Sequence, residues 1–138
     1  MKKNILFIFS LSAFFFITPM VYAQYTLTIE ISELKSNNGQ VIMQFCNAKG
    51  ERISRIIQPI KDKKSTITIK DLKPGTYSFK YFHDENKNDK LDFNLIKMPK
   101  EGCGTSNNAK GTFGPPPLNK TIFKIDGNKI IYCKPTYI

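Results

Sequence analysis

The chain has 138 residues, with 21 basic and 11 acidic side chains, a net charge of +10 and 41% hydrophobic residues. That length builds one domain burying about two-thirds of its unfolded surface, and excludes two. The lysines are scattered, with no arginine-rich block or basic helix, so the charge reads as solubility and not as a nucleic-acid surface.

Lys2 and Lys3 precede an apolar run over residues 5–17, and Val21-Tyr22-Ala23 then presents small residues where a signal peptidase inspects the chain. A signal peptide over residues 1–23 is expected, leaving a single domain over 24–138. The leader holds two lysines and no acid, so the mature chain carries +8. No second apolar run follows and no cysteine adjoins the cleavage point, so neither a membrane span after cleavage nor a lipid anchor is expected. The expected location is the periplasm or the cell surface.

Tyr25, Leu27, Ile29 and Ile31 alternate with Thr26, Thr28 and Glu30, the period of a half-buried strand. Asn37-Asn38-Gly39 turns the chain. Residues 41–46 are apolar on both faces except Gln44, which predicts a central strand. Over 51–60 the pattern is ambiguous: Ile53, Ile56, Ile57 and Ile60 fit a helical face, while β-branching and Pro59 favour an irregular strand. Alternation resumes at 65–70. Leu72-Lys73-Pro74-Gly75 then predicts a type II turn with Gly75 at positive φ, leading into a strand over 76–83. Near the end, residues 121–125 and 129–133 flank Asp126-Gly127-Asn128, a hairpin signal. About seven short strands separated by turns predict an all-β fold, an antiparallel β-sandwich with one long loop from 84 to about 119.

The most specific stretch opens that loop. Residues 84–92 place oxygen-bearing groups at alternate positions, as a chain does when it wraps one hard cation. Asp84, Asn86, Asn88 and Asp92 occupy the first, third, fifth and ninth places of a calcium loop, and the carbonyl of Lys90 the seventh. Calcium is therefore the expected metal, bound weakly at ~10⁻⁴ to 10⁻³ M, the range of extracellular modules. Asp89 stands where such a loop has glycine, and Leu95 where it has a bidentate glutamate, so water or a distant residue such as Glu101 must complete the set.

The three cysteines permit one internal bridge at most. Cys46 and Cys133 lie in strand-like segments and Cys103 between two glycines in a loop; spacing alone selects neither a Cys46–Cys133 bridge nor free thiols, and fits no zinc motif. His83 is the only histidine, so thiolate chemistry would require it to meet Cys103 across the fold. No phosphate-cradling loop, nucleophile elbow or zinc-hydrolase motif is present, and no enzyme is expected.

Tyr77-x-Phe79-x-Tyr81-x-His83-Asp84-Glu85-Asn86, then Met98-Pro99-Lys100-Glu101-Gly102, Ser106-Asn107-Asn108-Ala109 and Phe113-Gly114-Pro115-Pro116, resemble a bacterial family known as domain of unknown function 2141. The resemblance covers nearly all of the mature chain. It implies a small exported envelope protein with an immunoglobulin-like or transthyretin-like β-sandwich, and no particular activity. This chain departs from the family pattern in having Cys103 in place of an aromatic residue between the two glycines, and Asp89 where glycine is common.

The expected function is that of a structural or binding module of the envelope with a calcium site in the 84–92 loop. The alternative is a carbohydrate- or peptide-recognition module using the 102–117 loop, in which Phe113 is read as a plug into the sandwich. A glycan or an envelope protein is the expected kind of partner.

Overall fold

The computed structural model describes residues 20–138. Residues 1–19, and with them most of the expected signal peptide, lie outside the described residues. Residues 20–24 are exposed and have no regular structure.

Eight strands among the described residues make the all-β sandwich: β1 (Tyr25–Ile31), β2 (Gln40–Asn47), β3 (Arg52–Gln58), β4 (Ser65–Leu72), β5 (Gly75–Asp84), β6 (Cys103–Thr105), β7 (Phe123–Ile125) and β8 (Lys129–Cys133). One sheet runs β4-β1-β8 and the other β3-β2-β5-β6, with β7 pairing the opposite end of β5. All these pairings are antiparallel except β1 with β8.

Period-two patterning decides which side chains meet between the sheets. Leu27, Ile29 and Ile31 of β1, Val41, Met43 and Phe45 of β2, and Phe79 and Tyr81 of β5 enter one buried cluster, joined by Ile67, Phe123, Ile125 and Cys133. Phe45 stacks on Tyr77 at 5.2 Å, and Phe79 meets Phe123 edge-on at 5.7 Å. Each fully buried side chain of this size contributes roughly 1.5–3 kcal/mol of transfer free energy, which makes the cluster the main stabilising element.

β2 is central, as its apolar faces predict, lying between β3 and β5. The ambiguous segment becomes β3, an edge strand whose Ile53 and Ile57 stay exposed; tertiary pairing with β2 overrides its helical spacing. Two turn predictions are corrected. Gly75 does not take a positive φ; Asp71 does, at 59°, so the chain bends before Pro74 and Gly75 opens β5. Nor do residues 121–125 and 129–133 pair as a hairpin. β7 joins β5 in one sheet and β8 joins β1 in the other, so Asp126-Gly127-Asn128 crosses the sandwich, anchored by Thr26 N donating to Asn128 Oδ1 at 2.9 Å. Both strands carry apolar residues inward, and a strand in each sheet buries them from both sides.

Register positions the site. Gln40, the first residue of β2, lies opposite Asp84, the last of β5, so the loop after β5 leaves the sandwich beside the entry to β2.

Candidate functional site

Asp84 is fully buried at the end of β5. Its Oδ1 accepts the backbone N–H of Asn88 at 3.1 Å, and its Oδ2 accepts that of Asp89 at 3.1 Å and the Gln40 side-chain amide at 2.9 Å. One carboxylate thus curls the following residues around itself, and three donors satisfy a group that is costly to bury otherwise. The alternating Asx residues tighten the coil: Asn86 Oδ1 accepts Asn88 N at 3.1 Å, and Asn88 Oδ1 accepts Lys90 N at 2.9 Å. Asp89 takes a φ of 65°, the left-handed backbone that glycine gives at this place of a calcium loop.

Asp92 is brought back to the start of the turn. Asn86 Nδ2 donates to its Oδ2 at 2.8 Å, and Asn88 Nδ2 lies 3.1 and 2.9 Å from its two oxygens. Asp84, Asn86, Asn88 and Asp92 therefore form one connected network, with Lys90 on the exposed side of the same turn. Glu101, itself buried, closes the far side by accepting Glu85 N at 3.0 Å and Asp92 N at 3.2 Å. Among the described residues no three His, Cys, Asp or Glu side chains are grouped to hold a metal ion. The turn instead links two carboxylates and two carboxamides, hard oxygen groups that suit calcium better than zinc.

Two contributors were not legible in the sequence. Gln40 also donates to Asp89 Oδ1 at 3.0 Å, and Arg55 Nη2 donates to the Asp89 carbonyl at 3.0 Å while its guanidinium stands 3.7 Å from the carboxylate. Both reach the turn only through cross-strand register.

His83, fully buried just before the turn, locks neighbouring segments together. The Asn38 carbonyl can only accept, so His83 Nε2–H donates to it at 2.7 Å and Nδ1 accepts the Tyr137 hydroxyl at 2.9 Å. Tyr137 Oη in turn accepts Lys35 N at 2.8 Å. With both nitrogens engaged, His83 has none left to activate a thiol. The ring of Tyr137 lies over Gly102, where an added Cβ would stand 2.3 Å from it, and an added Cβ at Gly104 would stand 2.4 Å from the Tyr81 hydroxyl. The two glycines beside Cys103 make room for two tyrosines.

Cys103 belongs to β6 and not to a loop; its backbone pairs with Phe82 on one side and Thr136 on the other. All three cysteines are free. Cys46 shares the outer face of β2 with Ile42, whereas Cys133 is in the core between the sheets, so a sheet separates them and they do not bridge. Burial pushes the Cys133 thiol from its ordinary value near 9 up to about 12, and raises the Tyr81 phenol as well. A folded-state value above the unfolded one adds stability that is fully present below about pH 9 and is lost as pH climbs towards 12. The midpoint of thermal unfolding is expected to fall above about pH 9 and to fall less steeply in Cys133→Val; equal slopes would remove Cys133 from that account.

The 102–117 segment divides. Gly102 stays beside the acidic turn, its carbonyl accepting His83 N at 2.7 Å. After β6 the chain leaves for the opposite end of the sandwich, where Ser106 is buried against Phe79 and the side chain of Leu118 lies against Gly50. Phe113 is fully exposed and does not plug the sandwich; the core space is taken by Phe79 and Phe123.

No curated protein and no solved structure matches the chain. Residues 29–132, which take in the acidic turn and all eight strands, β1 and β8 in part, match the pattern of the family described as "Uncharacterized protein conserved in bacteria (DUF2141)", and the chain belongs to that family.

Proposed function

We propose that this protein is an exported module of the bacterial envelope, structural or binding in role and not catalytic, whose 84–92 turn is ordered by calcium. The observation that carries the calcium reading is Asp84: a fully buried carboxylate whose network gathers Asn86, Asn88 and Asp92 into hydrogen-bonding distance of one another. Those side chains now spend amide N–H groups on the Asp92 carboxylate. A cation would replace these contacts with coordination by Asp84, Asn86, Asn88, Asp92 and the Lys90 carbonyl. An exported location favours this reading, since calcium outside the cytoplasm reaches the concentrations that weak sites need. A non-catalytic role is supported by the full engagement of His83.

Thermal unfolding of residues 24–138, which hold every strand and the core cluster, in excess chelator and then in calcium provides the test. With calcium about tenfold above a Kd of ~10⁻⁴ M, a ligand bound only by the native state stabilises it by ~1.4 kcal/mol, or about 6 °C. The rise should vanish in Asp92→Asn and in Asn86→Ala while their metal-free midpoints change little. The absence of any rise in the unsubstituted chain would sink the metal reading.

A further inference from the structure

We propose that the tip formed by residues 93–98 docks the protein on an anionic lipid surface, Leu95 and Ile96 entering the headgroup region while Lys97 and Lys100 meet the lipid charges. This goes beyond the calcium reading and stands without it, because the tip is held by its own hydrogen bonds.

The tip is an ordered projection. Asn94 Oδ1 accepts Ile96 N at 3.0 Å and Met98 N at 2.9 Å, Asn94 N donates to the Met98 carbonyl at 2.9 Å, and Phe93 pairs with Pro99 across the base. What it holds outward is apolar. Leu95 is 104% exposed and Ile96 77%, with Phe93 at 53% and Met98 at 37% beside them. Single exposed hydrophobic residues are ordinary, but four within six residues on one rigid convex tip form a patch with a purpose. A convex tip suits a deformable surface better than it suits a rigid protein groove.

Charge selects the kind of surface. Residues 93–100 carry Lys97 and Lys100, both exposed, and no acid. The acids flanking the tip in the chain are engaged elsewhere: Asp92, which adjoins Phe93, accepts the side-chain amides of Asn86 and Asn88, Asp84 and Glu101 are buried on backbone amides, and Asp89 meets Arg55. In a mature chain of net charge +8, the tip thus presents apolar side chains beside Lys97 and Lys100, the pairing that binds peripheral proteins to acidic bilayers. Among the described residues no helix is long and apolar enough to cross a membrane, and docking of this kind needs none.

The chain has no tryptophan, so a single Leu95→Trp reports the environment of the tip alone. Residues 24–138 carrying Leu95→Trp would be mixed, in excess chelator, with vesicles of phosphatidylcholine alone and with vesicles containing phosphatidylglycerol. Phe113→Trp, at the other end of the sandwich, serves as the control. The expected result is a blue shift for Leu95→Trp on the anionic vesicles only, weakened by salt, and none for Phe113→Trp. Co-sedimentation of the tryptophan-free chain should fall at least tenfold in the Leu95→Ser, Ile96→Ser double variant, with its unfolding midpoint unchanged because both side chains are solvent-exposed. Equal sedimentation of the double variant, equal shifts at both ends, or no shift at Leu95→Trp would overturn the proposal. So would cross-linking of the tip to a second copy of the chain or to an envelope protein without vesicle binding, which would make it a protein contact.

Discussion

Gly39→Ala is expected to destabilise the domain by about 3 kcal/mol or more and to displace the acidic turn, although it lies far upstream of Asp84 in the chain. Gly39 has a φ of 81°, where a side chain is strained, and an added Cβ would stand 2.0 Å from the Asp84 carbonyl oxygen and 2.7 Å from Glu85 Cα. Both neighbours are backbone, so no rotamer change relieves the overlap; the strands β2 and β5 must part where Gln40 pairs with Asp84. Urea unfolding measures the loss. A calcium titration of the same variant then asks whether the turn has lost its affinity, as displacement of Asp84 requires. A stability change under about 1 kcal/mol would mean that the approach of residue 39 to Asp84 is looser in solution.

Asp84→Ala should cost about 3 kcal/mol, since at a buried position it strips the Asp89 amide of its acceptor and takes one of two acceptors each from the Asn88 amide and the Gln40 side chain. Asp84→Asn should lie between this and the unsubstituted chain, because one carbonyl oxygen remains to accept. The contrast with Asn86→Ala separates structure from metal. Asn86 is exposed and its loss removes contacts to Asp92 and to Asn88 N only, so its metal-free stability should drop by less than about 1 kcal/mol while its calcium response disappears. Hydrogen exchange at Asn88 and Asp89 gives a second measure: both amides are expected to lose protection in Asp84→Ala. Retained protection there would show that the turn holds its shape without the carboxylate.

The alternating residues of β1, β2 and β5 announce their core faces because a strand's side chains change sides at every step, a local property that needs no partner. The acidic turn is legible for a related reason. Its coil is made by side chains reaching backbone amides two to five residues away, so Asp84, Asn86, Asn88 and Asp92 meet through local contacts that spacing encodes. The outward tip is local too, built around Asn94, though composition reveals neither its exposure nor its direction.

What lies between distant segments is another matter. Gln40 and Arg55 reach the turn through strand register, and the glycines flanking Cys103 are explained only by Tyr81 and Tyr137 laid over them. The separation of β7 and β8 into different sheets reverses what their turn signal implies, because covering the core from both sides outweighs a short-range pairing preference. By itself the sequence determined the strands that alternate cleanly, their buried faces and the coil of the acidic turn, all set by neighbours close in the chain, but not β3 or β6. The tertiary structure alone decided which strands pair, which cysteines are kept apart and which residues seal the turn, since these depend on contacts whose register no local pattern records.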